Sequence, residues 1–227
     1  MSARLPVITG LDLVTAAGCG VDAVWNSLAR GECGLRPLSL FPSPRQGPVL
    51  TGDIPRSLDA LGAPRRGSRR DRLAWLAANE AIGSAKLNLA GGSERAGFVL
   101  GCSVGGSFDS EGFLAKLIKE GRMRPRPTRF HECSSAVDLI ADDFGLLGPG
   151  FAVATACSSG ALALAMAAEF IQSGQADVML AGGADSLSRM TWGGFHSLLL
   201  VDGTGCHPFD ANRAGMCLGE GAAVLIL

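Results

Sequence analysis

The chain has 227 residues, 47% of them hydrophobic and 18% charged, enough apolar material for one large folded domain or two small ones and too much for a disordered segment. Its formal net charge of −1 offers no bulk electrostatic handle for nucleic acid or a membrane surface. No start resembling a signal peptide is visible, since Pro6 and Gly10 break the only early apolar run, and no stretch is long enough to span a bilayer. Seven cysteines without a C-x-x-C pair point to reduced thiols in the cytoplasm and against a metal site.

In chain order, Leu5 to Gly10 reads as a short buried strand ended by glycine. Asp22 to Arg30 reads as a short helix closed by Gly31. The Pro-, Gly- and Ser-rich stretch 37–64 reads as a surface loop. Leu73, Leu76, Ala77, Ala81 and Ile82 fall at helical spacing, which predicts an amphipathic helix over Arg70 to Leu87. Ala96 to Leu100 is a second strand, running into the turn Gly101-Cys102-Ser103-Val104-Gly105-Gly106. That turn lacks the Gly-Lys-Ser/Thr of a phosphate loop. Helices are predicted over Ser107 to Glu120 and Ser134 to Phe144, with Pro125 and Pro127 breaking the chain between them. Phe151 to Ala154 reads as a strand, Cys157 to Ser173 as a helix, Ala176 to Gly183 as a strand and Ala222 to Leu227 as the last strand. Strands alternate with helices and have continuous apolar runs, which favours an α/β fold with a largely parallel sheet covered on both faces. The helix after Cys157 is apolar on all sides and should lie between layers. The strand that ends flush at Leu227 predicts further polypeptide that follows or packs against it.

Cys157 stands where a buried strand turns into that helix. A helix start offers free N–H groups and partial positive charge, both of which favour thiolate over thiol, and its amides can hold an oxyanion. Ala156, Ser158, Ser159 and Gly160 leave room for a substrate. Position alone fits either an activated nucleophile or a buried, inert thiol. Two basic runs, Arg65, Arg66, Arg69, Arg70 and Arg72, then Arg122, Arg124, Arg126 and Arg129, fit either a solvated face or a docking surface.

The segment Thr155-Ala156-Cys157-Ser158-Ser159-Gly160 resembles the active-site signature of the β-ketoacyl-acyl-carrier-protein synthases, the elongating ketosynthases of the thiolase-like superfamily. Three more segments match in the same order: Val7 to Leu11, Gly182-Gly183-Ala184-Asp185, and Asp210-x-x-Arg213-x-Gly215 followed by Gly219-Glu220-Gly221-Ala222. The resemblance covers nearly all of 1–227 and is to the N-terminal half of the family fold. It implies a five-stranded mixed sheet with helices on both faces and a buried nucleophile helix, the C-terminal half being absent. It also implies an acyltransferase that forms an acyl-cysteine at Cys157 from acyl carrier protein. Decarboxylative Claisen condensation with malonyl carrier protein would follow, in fatty-acid or polyketide synthesis.

By the same resemblance no cofactor is needed, and two catalytic histidines lie in the other half. His131, His196 and His207 sit in no matching motif. Val104, Ala156 and Phe195 match residues that line the acyl pocket, although plain core packing explains them equally well. Arg66, Arg69, Arg70 and Arg124 fall where the family docks acidic carrier proteins. The apolar Leu198-Leu199-Leu200 departs from a basic position there. A homodimer formed through the strand at Phe151 to Ala154 is implied as well. Two alternatives remain at this point: a truncated, non-catalytic ketosynthase-like partner, and a coenzyme A-using relative of the thiolases or chalcone synthases.

Overall fold

A computed structural model describes residues 4–43, 49–54, 57–89, 91–121 and 126–227, with the side chains of 126 and 127 excepted. The strands are β1 (Gly10–Thr15), β2 (Gly18–Cys19), β3 (Arg36–Pro37), β4 (Leu50–Thr51), β5 (Ala96–Gly101), β6 (Gly150–Val153), β7 (Val178–Asp185) and β8 (Gly221–Ile226). The α-helices are α1 (Val21–Ala29), α2 (Arg69–Ser84), α3 (Ser107–Glu120), α4 (Ser135–Phe144), α5 (Ser159–Gln172) and α6 (Arg189–Ser197).

Six strands form one sheet in the order β2-β1-β8-β7-β5-β6, while β3 and β4 form a separate short ladder. Strands β5, β6 and β7 run parallel, and β8 is antiparallel to both β7 and β1. The sheet is therefore mixed. It has one strand more than the resemblance implied, the addition being the two-residue β2.

Side-chain alternation along the strands builds two cores. Phe98 and Leu100 of β5 pack with Leu180, Val224 and Ile226 under Leu73, Ala77 and Ala81 of α2 and Ile140 of α4. Val99 points the other way, into Met179, Ala181 and the Ala163, Ala167 and Ile171 stripe of α5. Helix α2 begins at a capping box in which the Ser68 hydroxyl accepts from Asp71 N and the Asp71 carboxylate accepts from Ser68 N.

Three expectations change. The first strand starts at Gly10, not Leu5, and Leu5, Val7 and Ile8 are exposed. The register explains the shift: Gly10 pairs with Ile226, the last residue of β8, so only Thr9 finds a further partner, donating to Ile226 O at 2.9 Å. Second, α5 is covered on one face only. Ala163, Ala167 and Ile171 are buried against the sheet, but Ala161, Leu162 and Ala165 are exposed. Third, the stretch 37–64 is not simply a surface loop. Thr51, Asp53, Ile54 and Leu58 in it are buried.

Candidate active site

The parallel strands β5, β6 and β7 end together, and the functional side chains gather at that edge. Between β6 and α5 lies a 3-10 turn, Ala156–Ser158, with Cys157 at its centre and exposed. The thiol therefore does not sit in the first turn of a buried α-helix, as the sequence led us to expect. It stands two residues ahead of α5, beside that helix's free N–H end. In this chain the thiol is open to approach.

The turn is held from both sides. Ser159 Oγ accepts from Thr155 N at 2.9 Å and donates to Ala156 O at 2.7 Å, and Ser158 Oγ donates to Thr155 O at 3.0 Å. Ala156 sits at φ 53°, a left-handed conformation that costs a non-glycine residue roughly 1–3 kcal/mol. Such strain next to the nucleophile persists only because the surrounding bonds over-determine it. Below the turn, a Cβ on Gly101 would lie 2.3 Å from the Ser159 carbonyl carbon, so only glycine lets the end of β5 approach α5 this closely.

The structure unites two of the three expected pocket residues. Val104 and Phe195 line one cleft of about 480 Å³ with Met190, Thr191, Gly194, Ser197 and Leu198. Ala156 belongs to the nucleophile turn and not to the lining of this cleft. A hydrogen bond links the two, since Ser103 Oγ, next to Val104, donates to Ala156 O at 3.4 Å.

Two carboxylates that sequence reasoning had given no role hold the cleft walls. Asp185, at the end of β7, accepts from the backbone N–H of Ser103 and Val104. Glu111 accepts from the N–H groups of Arg189 and Met190 at 2.9 and 2.8 Å and so caps α6, which carries Phe195. The Gly182–Asp185 segment was visible in the sequence, but a partner 82 residues away was not. A larger open cleft of about 850 Å³ is lined by Leu199, His207, Phe209, Arg213 and Met216, and includes no residue of the nucleophile turn.

The expected docking arginines divide. Arg66 is half exposed and pairs with Asp143. Arg69 and Arg70 point inward, which corrects the expectation that they offer charge to a partner. Arg69 binds Glu220 and Ile54 O with its side chain only 13% exposed. Arg70 is fully buried against Asp71, Ser135 Oγ and the carbonyls of Glu132 and Cys133. Arg124 lies outside the described residues. Of the histidines, His131 Nδ1 is 2.9 Å from Ser110 Oγ and His196 stacks on Trp192. Among the described residues, no hydrogen bond or ring contact joins any histidine to Cys157.

Comparison with known proteins agrees with this geometry. Residues 6–227 match the family described as beta-ketoacyl synthase, N-terminal domain. The chain is 33% identical to a putative polyketide beta-ketoacyl synthase 1 of Streptomyces halstedii, covering 100% of this chain and 58% of that one. It is 32% identical to the chloroplastic 3-oxoacyl-[acyl-carrier-protein] synthase I of Arabidopsis thaliana, covering 97% and 50%. Among solved structures, the ishigamide ketosynthase/chain length factor superposes with a TM-score of 0.92 at 26% identity, covering 99% of this chain and 58% of that chain. A type II polyketide synthase acyl-carrier protein in complex with its ketosynthase bound to the hexaketide superposes with a TM-score of 0.77 at 25% identity, covering 99% and 58%. The chain thus spans between half and three fifths of the length of these relatives.

Proposed function

Since the chain belongs to the β-ketoacyl synthase family and matches its N-terminal domain, we propose that it is the nucleophile-bearing half of a ketosynthase that loads an acyl group onto Cys157. The Cys157 sulfur attacks the thioester carbonyl of an acyl carrier protein, an S–C bond forms, and the pantetheine thiolate leaves. Malonyl carrier protein then loses carbon dioxide, and its carbanion attacks the acyl-cysteine carbonyl. A C–C bond forms and the Cys157 thiolate is released. The observation that carries this reading is the exposed Cys157 on a constrained turn, joined through Ser103 to the apolar cleft of Val104 and Phe195.

Several finer points belong to the same proposal. The half of the fold that supplies the catalytic histidines lies outside this chain. Carrier-protein docking uses Arg66, with the 91%-exposed Arg65 next to it in the chain, and Arg124, which lies outside the described residues. The assembly is a dimer through β6, which ends the sheet and leaves one side unpaired. An odd count of seven cysteines with no C-x-x-C pair favours a reducing compartment such as the cytoplasm. Among the described residues no helix is long and apolar enough to cross a membrane.

The test is to incubate the chain with acyl carrier protein bearing an acyl thioester and to map the adduct by peptide mass spectrometry. A mass increase equal to the acyl group at Cys157, absent in Cys157→Ala, supports the reading. Acyl transfer to another residue, or none, overturns it.

A further inference from the structure

We propose that Asp185 is a positioning residue that sets the wall of the acyl cleft against the nucleophile turn, and so governs which acyl lengths reach Cys157. The inference rests on the reading of Cys157 as the acyl acceptor. Asp185 Oδ1 accepts from Ser103 N at 3.1 Å and from Val104 N at 3.2 Å, while Oδ2 accepts from Ser103 N at 3.0 Å. These are backbone partners. The carboxylate ties down a stretch of main chain instead of neutralising a cation, and no Lys or Arg lies within ion-pair distance of it among the described residues. Bonds from backbone N–H groups to an ionised acceptor are about twice as strong as neutral ones.

What it ties down matters in both directions. Ahead of the anchored amides, Val104 O accepts from Ser107 Oγ at 2.5 Å and from Ser107 N at 3.3 Å, so the backbone of this cleft-lining residue is held on both sides where α3 begins. Sideways, the Ser103 hydroxyl reaches Ala156 O, which Ser159 Oγ also holds. Ala156 is the strained residue directly before the nucleophile. One carboxylate at the end of β7 therefore fixes the distance between the cleft wall and the sulfur. Moving that wall should change the fit of a long chain more than that of a short one, because Val104 and Phe195 line the cleft and are not part of the nucleophile turn.

The test needs no carrier protein. Cys157 in the full chain is alkylated with N-ethyl and N-decyl iodoacetamide, and the two rates are compared in the parent, Asp185→Asn, Asp185→Ala and Asp185→Glu. Asparagine keeps an acceptor at the shared oxygen and should preserve the decyl-to-ethyl ratio. Alanine removes the anchor, and glutamate moves it outward by a methylene. Both should shift the ratio by roughly tenfold, within the roughly hundredfold that a 1 Å misplacement can cost at a reacting centre. If Asp185→Ala does not fold by circular dichroism, Asp185→Glu, which keeps charge and acceptors, decides. An unchanged ratio in a folded Asp185→Glu or Asp185→Ala chain overturns the inference, even where both rates fall together. Failure of acyl transfer from carrier protein counts against the proposed function and leaves these alkylation ratios readable.

Discussion

At the residue scale, the seven cysteines are separated by where the fold puts them. Cys157 is exposed on its turn, whereas Cys102 is 1% exposed. Burial pushes the Cys102 thiol up from 9.0 to about 12 and the Cys217 thiol up from 9.0 to about 11. Limiting iodoacetamide at neutral pH should therefore label Cys157 ahead of both, and peptide mass spectrometry showing Cys102 or Cys217 labelled first would sink the claim. The same shifts set a pH dependence. The folded chain holds these two protons more tightly than the unfolded chain does. Their contribution to stability is thus complete below about pH 8.5 and shrinks as pH climbs toward 11 and then 12. Thermal midpoints should drop between about pH 8 and about pH 10, and Cys102→Ala should flatten that drop. Cys157 stood out in the sequence as a candidate because its setting is local, although that setting alone left nucleophile and inert thiol open and the resemblance of Thr155 to Gly160 singled it out. Asp185 was not, because its meaning lies in amides contributed by another strand end. The arginine run was misleading for a related reason. A linear cluster of charge carries no record of which guanidinium groups turn inward, and Arg69 and Arg70 do so at the start of α2.

At the element scale, the tie between Arg69 and Glu220 fastens the start of α2 to the segment before β8. Glu220 is buried; its carboxylate accepts from Arg69 Nε at 2.9 Å, from Ile54 N at 2.9 Å and from Leu187 N at 3.3 Å. Three segments distant in sequence thus meet on one side chain. Breaking a buried pair leaves an uncompensated charge, so Glu220→Gln should cost about 3 kcal/mol in urea unfolding. A loss under about 0.5 kcal/mol, the range of ordinary surface substitutions, would show that the tie is not a structural anchor. The Gly-Glu-Gly-Ala segment that the sequence offered as a family likeness is thus also a packing device. Helices with strong periodicity or sharp ends were readable; the span predicted for Ser107 to Glu120 is the span observed. Helix α6 was not foreseen. Its nine residues include Gly193 and Gly194, both poor helix formers, and its start is secured by Glu111 from across the fold and by the Ser188 hydroxyl, which accepts from Thr191 N. The first strand was misplaced because an apolar run states a preference for burial, whereas the register with β8 decides where pairing stops.

At the scale of the whole molecule, the apolar surface around the site is only partly covered. Phe151 on the edge strand β6 is 46% exposed and stacks on Phe170 of α5, whose other face shows Leu162. An apolar edge of this kind favours pairing with another chain. Sedimentation at micromolar concentration should show a dimer that Phe151→Asp weakens, and a monomer throughout would count against pairing through β6. Chemistry divides along the same line as surface. Forming the acyl-cysteine needs a nucleophile, an exposed approach and amide donors, and this chain has a constrained turn beside a helix start to supply them. Condensation needs more. Loss of carbon dioxide from a malonyl thioester leaves negative charge on an enolate oxygen, which must be met by donors already in place. Histidine side chains can donate there, yet His131 is bonded to Ser110, His196 lies against Trp192, and among the described residues neither is joined to Cys157. His207 lines the cleft of Phe209 and Arg213, which holds no residue of the nucleophile turn. The 227-residue chain on its own should therefore become acylated at Cys157 yet release no ketoacyl product when malonyl carrier protein is added. Mass spectrometry of the chain and of the carrier protein reads both steps in one experiment. Ketoacyl product that disappears in Cys157→Ala would show that residues of this half alone stabilise the enolate, and the division of labour argued here would be wrong.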